Sequence, residues 1–235
     1  MVDFVCGSNP GLDKLKEIVA ILRSPGGCPW DREQDHASLR GALLEESHEV
    51  IDAIDRADAA ALREELGDVL LQVVFHSRLA EEKGEFTLED VMRAVCEKLI
   101  TRHPHVFGDS GAKRLGASVD VEGVQTGGSA QVLKNWEEIK KKEKSFSSGA
   151  DALRAVPRSF PALLRADKLL SRAARAGFTQ DLSGGGDDAG SVLFAAAAKA
   201  KSMGEDPELA LHGRLERFIG EFGAWEQGRA SNQGL

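Results

Sequence analysis

The sequence predicts an all-α protein. Over long stretches, apolar residues recur at spacings of three and four, which is the period of a helix with one buried face. The alternation of apolar and polar residues that is typical of strands is nearly absent. Short runs of glycine and proline divide the apolar stretches into helices of ordinary length. We therefore expect an antiparallel helical bundle.

Five helices are predicted in the first part of the chain. The first ends at the breaker run 24–27, and a loop is expected over Cys28–Asp31. Thr87, followed by Asp90 three residues later, has the spacing of a capping box and predicts the start of the fourth helix, which must stop before Pro104. Six glycines between residues 108 and 128 predict a mobile loop. The expected helices cover 12–23, 38–56, 59–82, 87 to the residue before 104, and 130–144.

The second part of the chain is predicted to be a degenerate copy of the first. Further helical stretches follow a linker at 145–149, the first of them over 162–176. The sequences of residues 65–71 and 98–102 are weakly repeated at 188–194 and 217–221. Both repeated segments keep the apolar residues and lose charged ones. The predicted domains are therefore residues 1–145 and 150–235.

Composition and charge restrict the choice of partners. The 235 residues carry a net charge of −8 with a pI near 5.4, which argues against nucleic acid or an anionic membrane as the main partner. Three widely spaced cysteines are typical of a reducing compartment. We find no secretion signal and no apolar stretch of membrane-spanning length, so we expect a cytoplasmic protein.

Acidic residues are spaced to converge on two adjacent helices. On the second helix Glu46 falls inside the apolar stripe and Glu49 lies at its edge, and on the third helix Glu65 and Asp68 flank the apolar stripe. The stripes consist of Leu39, Leu43, Val50 and Ile54 on the second helix, and of Leu62, Leu66, Val69 and Val73 on the third. A short link near Asp58 predicts antiparallel packing, which would bring the four carboxylates together.

Converging carboxylates require a cation nearby, because burying an unpaired charge costs several kcal/mol of free energy, on the order of what is found for buried ions. Oxygen-only ligands favour Mg²⁺, with Mn²⁺ as a substitute, over zinc. One alternative is a solvated acidic face paired with nearby arginine and lysine. Another is a di-iron site, because Glu45-x-x-His48 has the spacing of di-iron bundles. It is disfavoured because the third helix offers Glu65-x-x-Asp68 where a second Glu-x-x-His is needed, and the residue three before His76 is Val73.

Basic and aromatic residues follow on later helices. Lys98 and Arg102 lie one helical turn apart, and Trp136 and Lys140 repeat this spacing. Such residues suit a polyphosphate and a stacked base. Taken singly, a tryptophan is more often a core residue and a lysine more often solvated.

These motifs resemble the MazG family of nucleoside triphosphate pyrophosphohydrolases. The pattern EExxE followed by ExxD, at Glu45–Glu49 and Glu65–Asp68, is similar to that of the wider all-α pyrophosphohydrolase group. The resemblance to MazG itself lies in Gly27–Asp31, in Arg102–Phe107 and in Trp136-x-x-x-Lys140. It covers residues 12–145 almost continuously.

The resemblance implies a dimeric α-helical enzyme that uses Mg²⁺ to cleave (deoxy)nucleoside triphosphates to monophosphate and pyrophosphate, a house-cleaning role in nucleotide pools. It implies the following roles: Glu46, Glu49, Glu65 and Asp68 as metal ligands, Glu45 as a group that supports them or orients water, Lys98, Arg102 and Lys140 on phosphate oxygens, and Trp136 on the base. Trp30 would either line the pocket or anchor its loop.

The second part resembles the C-terminal repeat of two-domain MazG proteins but departs from it at the acids. The helix carrying EExxE is missing, ExxD has become Asp188-x-x-Ser191, and Glu221 stands where Arg102 would match. Activity is therefore expected from the first repeat.

The sequence also allows three other functions. The chain could be a nucleotide or alarmone sensor that has lost turnover, which binding without product formation would reveal. It could be a scaffold, which predicts no stabilisation by Mg²⁺. Within enzymes, a narrower dUTPase-like preference would appear in a substrate panel.

Overall fold

A computed structural model describes residues 11–107, 128, 148–178, 186 and 188–232, and within these ranges the protein is all-α with no strand, as predicted. The chain forms two compact units, Met1–Lys140 and Lys141–Leu235. No helix in the described ranges is long and apolar enough to span a membrane. The helices are α1 (Leu12–Arg23), α2 (Pro29–Glu33), α3 (Arg40–Asp55), α4 (Ala59–Glu82), α5 (Leu88–Arg102), α6 (Gly149–Arg154), α7 (Ala162–Arg175), α8 (Ala189–Ser202) and α9 (Pro207–Asn232).

The long helix α4 is the centre of the first unit. Helices α1, α3 and α5 all pack against it. The core cluster comes from α1, from the residue before α3, from the carboxyl-terminal half of α4 and from the start of α5. It consists of Val19, Leu39, Val74, Phe75, Leu79 and Leu88. Because α1 has half as many residues as α4, it covers only half of that helix.

The predicted apolar stripes of α3 and α4 are only partly buried. Leu39 is buried, but Ile54 and Leu66 are both more than half exposed. Among the described helices α3 packs against α4 alone, so its far side stays open to solvent. Glu46, which lies inside the predicted stripe of α3, is accordingly half-buried.

Most predicted helix boundaries are confirmed. Helices α1 and α4 have the predicted bounds, and Thr87 and Asp90 form the predicted capping box at the start of α5. The helix predicted over 130–144 lies outside the described residues. The loop predicted over Cys28–Asp31 is wrong, because a short helix begins at Pro29, where the fixed φ of proline suits the first helical position.

The link between α3 and α4 is a tight turn of three residues, Arg56–Asp58. The Asp58 carboxylate caps α4 by accepting the backbone N–H groups of Ala60 and Ala61, at 3.0 and 3.1 Å. Ala57 has a φ of 51°, which for a residue other than glycine is strained. This turn holds the two helices antiparallel and side by side.

In the second unit α7 packs against α6, α8 and α9. Asp167 on α7 is buried and pairs with Lys201 on α8 at 2.7 Å and with Lys168 at 3.0 Å. Burial raises the pKa of Asp167, but hydrogen bonds from the two lysines outweigh burial and bring the pKa below its ordinary value. Glu208 on α9 accepts the backbone N–H of Leu164 at the start of α7. These polar contacts join the helices of the unit.

Candidate active site

Three of the predicted acids converge between α3 and α4. Glu46 and Glu49 lie on adjacent turns of α3, and Glu65 lies on α4. One carboxylate oxygen from each lies within 4.8 Å of the other two. Glu46 and Glu65 are half-buried and Glu49 is exposed. The arrangement is open on one side, as a site that admits a ligand must be.

The acids repel one another in the absence of a cation. Burial, followed by the charges of Asp68 and Glu49, raises the pKa of Glu46. Burial, followed by the charge of Glu49, also raises the pKa of Glu65, which Arg56 opposes only weakly. Asp68 is not one of the three converging residues, but its charge contributes to both shifts. A divalent cation would remove this repulsion, so the residues present fit a metal ion.

The donor set indicates the kind of metal. All three converging donors are carboxylate oxygens, which suit hard cations such as Mg²⁺ and Mn²⁺. Glu45 and His48 are exposed and are not part of the convergent group within the described residues. The di-iron alternative therefore gains no support from the geometry.

The predicted phosphate- and base-binding residues are placed only in part. Lys98 is exposed and Arg102 is half-buried, one turn apart on α5 as predicted. Helix α5 packs against α4 but, among the described helices, not against α3. Trp136 and Lys140 lie outside the described residues. The roles of these four residues stay predictions.

Trp30 lies on α2 with 60% of its surface exposed, so burial of its indole does not anchor this segment. Arg23 anchors the segment instead. Its guanidinium donates to the backbone carbonyls of Asp31 and Gln34, and it pairs with Glu82 on α4 at 2.7 Å. The indole is therefore held at the surface of the first unit on a fixed support.

Sequence reasoning missed a pair of histidines. The Nδ1 atoms of His36 and His76 are 2.9 Å apart, and the two rings are nearly parallel, with centroids 5.1 Å apart. His36 precedes α3 and His76 lies on α4, so the pair connects the entry of one site helix to the other. The two residues are 40 positions apart, and no local pattern could have joined them.

The geometry defines a class of protein: an all-α protein with a carboxylate cluster on a helical hairpin, suited to a divalent cation. Residues 34–107 match the model of the MazG nucleotide pyrophosphohydrolase domain. A nucleoside triphosphate pyrophosphohydrolase of Escherichia coli K12 is 37% identical over 90% of this chain and 85% of the relative. A protein of Thermotoga maritima, named nucleoside triphosphate pyrophosphohydrolase/pyrophosphatase MazG, is 36% identical over 92% and 85%. The chain belongs to the MazG family of nucleotide pyrophosphohydrolases and is an enzyme of that kind.

A solved structure, that of a mazG-related protein from Thermotoga maritima, also matches. It is 28% identical in sequence, with a TM-score of 0.42, and the match covers 55% of this chain and 99% of the other.

Proposed function

We propose that this protein uses Mg²⁺ to hydrolyse (deoxy)nucleoside triphosphates to nucleoside monophosphate and pyrophosphate. The observation that carries the proposal is the convergence of Glu46, Glu49 and Glu65 within 4.8 Å, with mutual repulsion that a cation would relieve. The names of the relatives from Escherichia coli and Thermotoga maritima support the reaction class.

Each residue has a distinct part in this proposal. Mg²⁺, for which Mn²⁺ could substitute, neutralises triphosphate charge and makes water a better nucleophile when it is bound. The four acids Glu46, Glu49, Glu65 and Asp68 hold the ion, and Glu45 supports them or orients the water. The remaining substrate contacts are Lys98, Arg102 and Lys140 on phosphate oxygens, Trp136 on the base and Trp30 at the pocket wall.

In the proposed reaction a water oxygen forms a bond to the α-phosphorus, and the bond between that phosphorus and the bridging oxygen breaks. Pyrophosphate leaves with the bridging oxygen, and the water proton passes to solvent or to a nearby carboxylate. The basic side chains on the phosphates stabilise the charge on the leaving group.

We assign the reaction to the first unit and propose that residues 150–235 are a degenerate repeat. The Asp188 carboxylate caps α8 by accepting the N–H and hydroxyl of Ser191, at 3.0 and 2.6 Å. A carboxylate used in this way is less available to a metal. The biological role that we propose is the removal of unwanted nucleotides from the pool.

We also propose a homodimer. In the first unit several large apolar side chains are 40% or more exposed in the single chain, a pattern typical of a protein interface. They include Leu44, Leu66, Leu70, Val95 and Leu99.

The test is pyrophosphate release from a panel of nucleoside and deoxynucleoside triphosphates, with Mg²⁺ or with EDTA. Activity should require Mg²⁺ and fall at least 100-fold in Glu49→Gln, because one ligand of the convergent group is lost. Glu64→Gln is the matched control, since Glu64 is next to Glu65 but outside the convergent group. A Glu49→Gln protein as active as the parent would refute the proposal. Nucleotide binding without product would support the sensor instead.

A further inference from the structure

Gln72 on α4 is a buried polar side chain outside the group of converging acids. Only 8% of its surface is exposed, and its Oε1 atom is enclosed with no hydrogen-bond partner among the described residues. Buried amides in proteins are nearly always hydrogen-bonded, because an unpaired polar group loses its contacts with water and gains none in return. An unpaired amide on a helix that carries the acid cluster therefore points to a partner that is in place only in another state of the site.

Gln72 lies on the face of α4 that carries the proposed metal ligands. At 3.6 residues per turn, four polar residues fall within about 80° of arc, namely Glu65, Asp68, Gln72 and His76. Burial increases along this face, since Glu65 and Asp68 are half-buried and Gln72 is buried. The face leads from the open acid cluster towards the core of the unit. Gln72 is thus the first enclosed polar group behind the ligands.

The Asp68 carboxylate is the partner that the Gln72 amide can reach. The two residues are four apart, which is about one helical turn, and glutamine and aspartate at this spacing form hydrogen bonds on helices. Side chains on an α-helix tilt towards its amino terminus, so the Gln72 side chain extends towards the turn of Asp68. His76, one turn further on, contacts His36 through Nδ1, and its Nε2 atom has no partner among the described residues. His76 therefore does not satisfy the Gln72 amide.

Asp68 is itself outside its proposed working position. Three acids converge within 4.8 Å, and Asp68 is not one of them. Its charge nevertheless raises the pKa of both Glu46 and Glu65, so its carboxylate is near the cluster without joining it. A carboxylate that turns towards a cation with one oxygen needs a donor for the other oxygen. Metal-ligating carboxylates in proteins are commonly held by such a hydrogen bond.

We propose that Gln72 is a positioning residue for Asp68. Its amide nitrogen donates to one carboxylate oxygen of Asp68 and leaves the other oxygen directed at the cation. Rotation about the last side-chain bond of glutamine, which has only broad preferences, brings the nitrogen to Asp68 and moves Oε1 out of its enclosed position. The inference rests on the proposed function, because it takes Asp68 as a metal ligand.

The position of Gln72 fits a contact with Asp68 better than a contact with the nucleotide. Substrate enters from the open side of the site, where Glu49 is exposed, whereas the Oε1 atom of Gln72 is enclosed. Gln72 therefore touches neither the cation nor the substrate. It acts only through the carboxylate that it orients.

The first test measures the binding of Mn²⁺ alone to the full-length chain, from the electron paramagnetic resonance signal of free Mn²⁺. Gln72→Met keeps the length of the side chain and removes the amide. It should weaken Mn²⁺ binding at least tenfold, as the loss of groups that orient metal ligands does. The melting temperature of the metal-free chain should not fall, because an unpaired buried polar atom is removed. A lower melting temperature with unchanged Mn²⁺ affinity would show a merely structural role and overturn the proposal.

Ser77→Ala is the matched control. Ser77 is also buried on α4, but its hydroxyl already donates to the backbone carbonyl of Val73 at 2.8 Å. This variant should bind Mn²⁺ as the parent does. An equal loss of Mn²⁺ affinity in Ser77→Ala would show that any buried change in α4 disturbs the site, and the specific role of Gln72 would be refuted.

The second test asks whether Gln72 acts through Asp68. Asp68→Ala alone should weaken Mn²⁺ binding at least tenfold. Adding Gln72→Met to Asp68→Ala should weaken it less than twofold further, because Gln72 has nothing to orient once the carboxylate is gone. Losses that multiply in the double variant would overturn the proposed relation between the two residues.

Glu49→Gln separates this inference from the proposed function. If Glu49→Gln and Asp68→Ala both weaken Mn²⁺ binding and Gln72→Met does not, only the role of Gln72 fails. If the parent binds no Mn²⁺, or if Glu49→Gln binds it as the parent does, the proposed function fails and the inference fails with it.

Discussion

His36 and His76 share a short contact between two Nδ1 atoms, 2.9 Å apart, although they are 40 positions apart in the chain. One nitrogen must donate and the other must accept, so the contact requires that at least one of the rings is neutral. The Nε2 atom of His76 is buried and has no hydrogen-bond partner among the described residues. Burial, followed by the charge of His36, lowers the pKa of His76.

This lowered pKa predicts a loss of stability in mild acid. Below about pH 6.5 the unfolded chain protonates His76 while the folded chain resists, so the unfolded state binds more protons. Stability should therefore fall as the pH decreases through this range. Denaturant melts at pH 7.5 and 5.5 should show a smaller difference in His76→Gln than in the parent. His48→Gln, on the exposed face of α3, should keep the parent difference; an unchanged pH dependence in His76→Gln would contradict the assignment.

Ala57→Gly should stabilise the protein by about 0.5–1 kcal/mol. Ala57 has a φ of 51°, and a left-handed conformation costs a residue with a Cβ about 1–2 kcal/mol, part of which the greater freedom of glycine in the unfolded chain offsets. Ala94→Gly, at an exposed position inside α5, should have the opposite sign and cost about 1 kcal/mol. Chemical denaturation measures both. A destabilising Ala57→Gly would show that the turn is not strained.

Glu82→Gln should destabilise the first unit by about 1–2 kcal/mol. Glu82 accepts hydrogen bonds from Arg23 and Arg78, which lower its pKa, and the Arg23 side chain is only 7% exposed. Removing the carboxylate leaves this guanidinium without its counter-ion. Glu17→Gln, which breaks the exposed pair of Lys14 and Glu17, should cost at most about 0.5 kcal/mol. Equal costs in denaturant melts would argue against this role for Arg23.

Glu46→Gln should raise the melting temperature of the metal-free protein and reduce the further increase that Mg²⁺ produces. Without metal it removes a repelled carboxylate, so the variant should melt at a higher temperature than the parent. Saturating Mg²⁺ should raise the melting temperature of the parent and have a much smaller effect on the variant, because binding to the folded state stabilises it. Glu64→Gln should respond to Mg²⁺ as the parent does. An identical Mg²⁺ response in Glu46→Gln would exclude Glu46 as a ligand.

Features that depend on local spacing were predictable. The period of the apolar residues predicted α1 and α4, and a capping pair predicted the start of α5. Helix α2 was missed because it has only five residues and its support includes Arg23, which also contacts α4. The burial of Leu66 was misjudged because periodicity shows which face of a helix is apolar but not which neighbours cover it.

In the site, too, contacts set by local spacing were predictable and contacts set by the packing of distant segments were not. Glu46 and Glu49 are three residues apart on one helix, and a short link leads to the helix of Glu65, so their convergence followed from spacing. The contact between His36 and His76 depends on how the segment before α3 lies against α4. No periodicity encodes that placement.

The three-residue link between α3 and α4 also bears on how the protein folds. Closing so short a loop costs little chain entropy, and contacts between neighbours in sequence form rapidly. We expect this hairpin to be one of the earliest tertiary structures, so that the acids meet before the carboxyl-terminal half of the chain is in place. Once α4 has emerged from the ribosome, the folding of this hairpin in the nascent chain would then already be sensitive to the concentration of divalent cations.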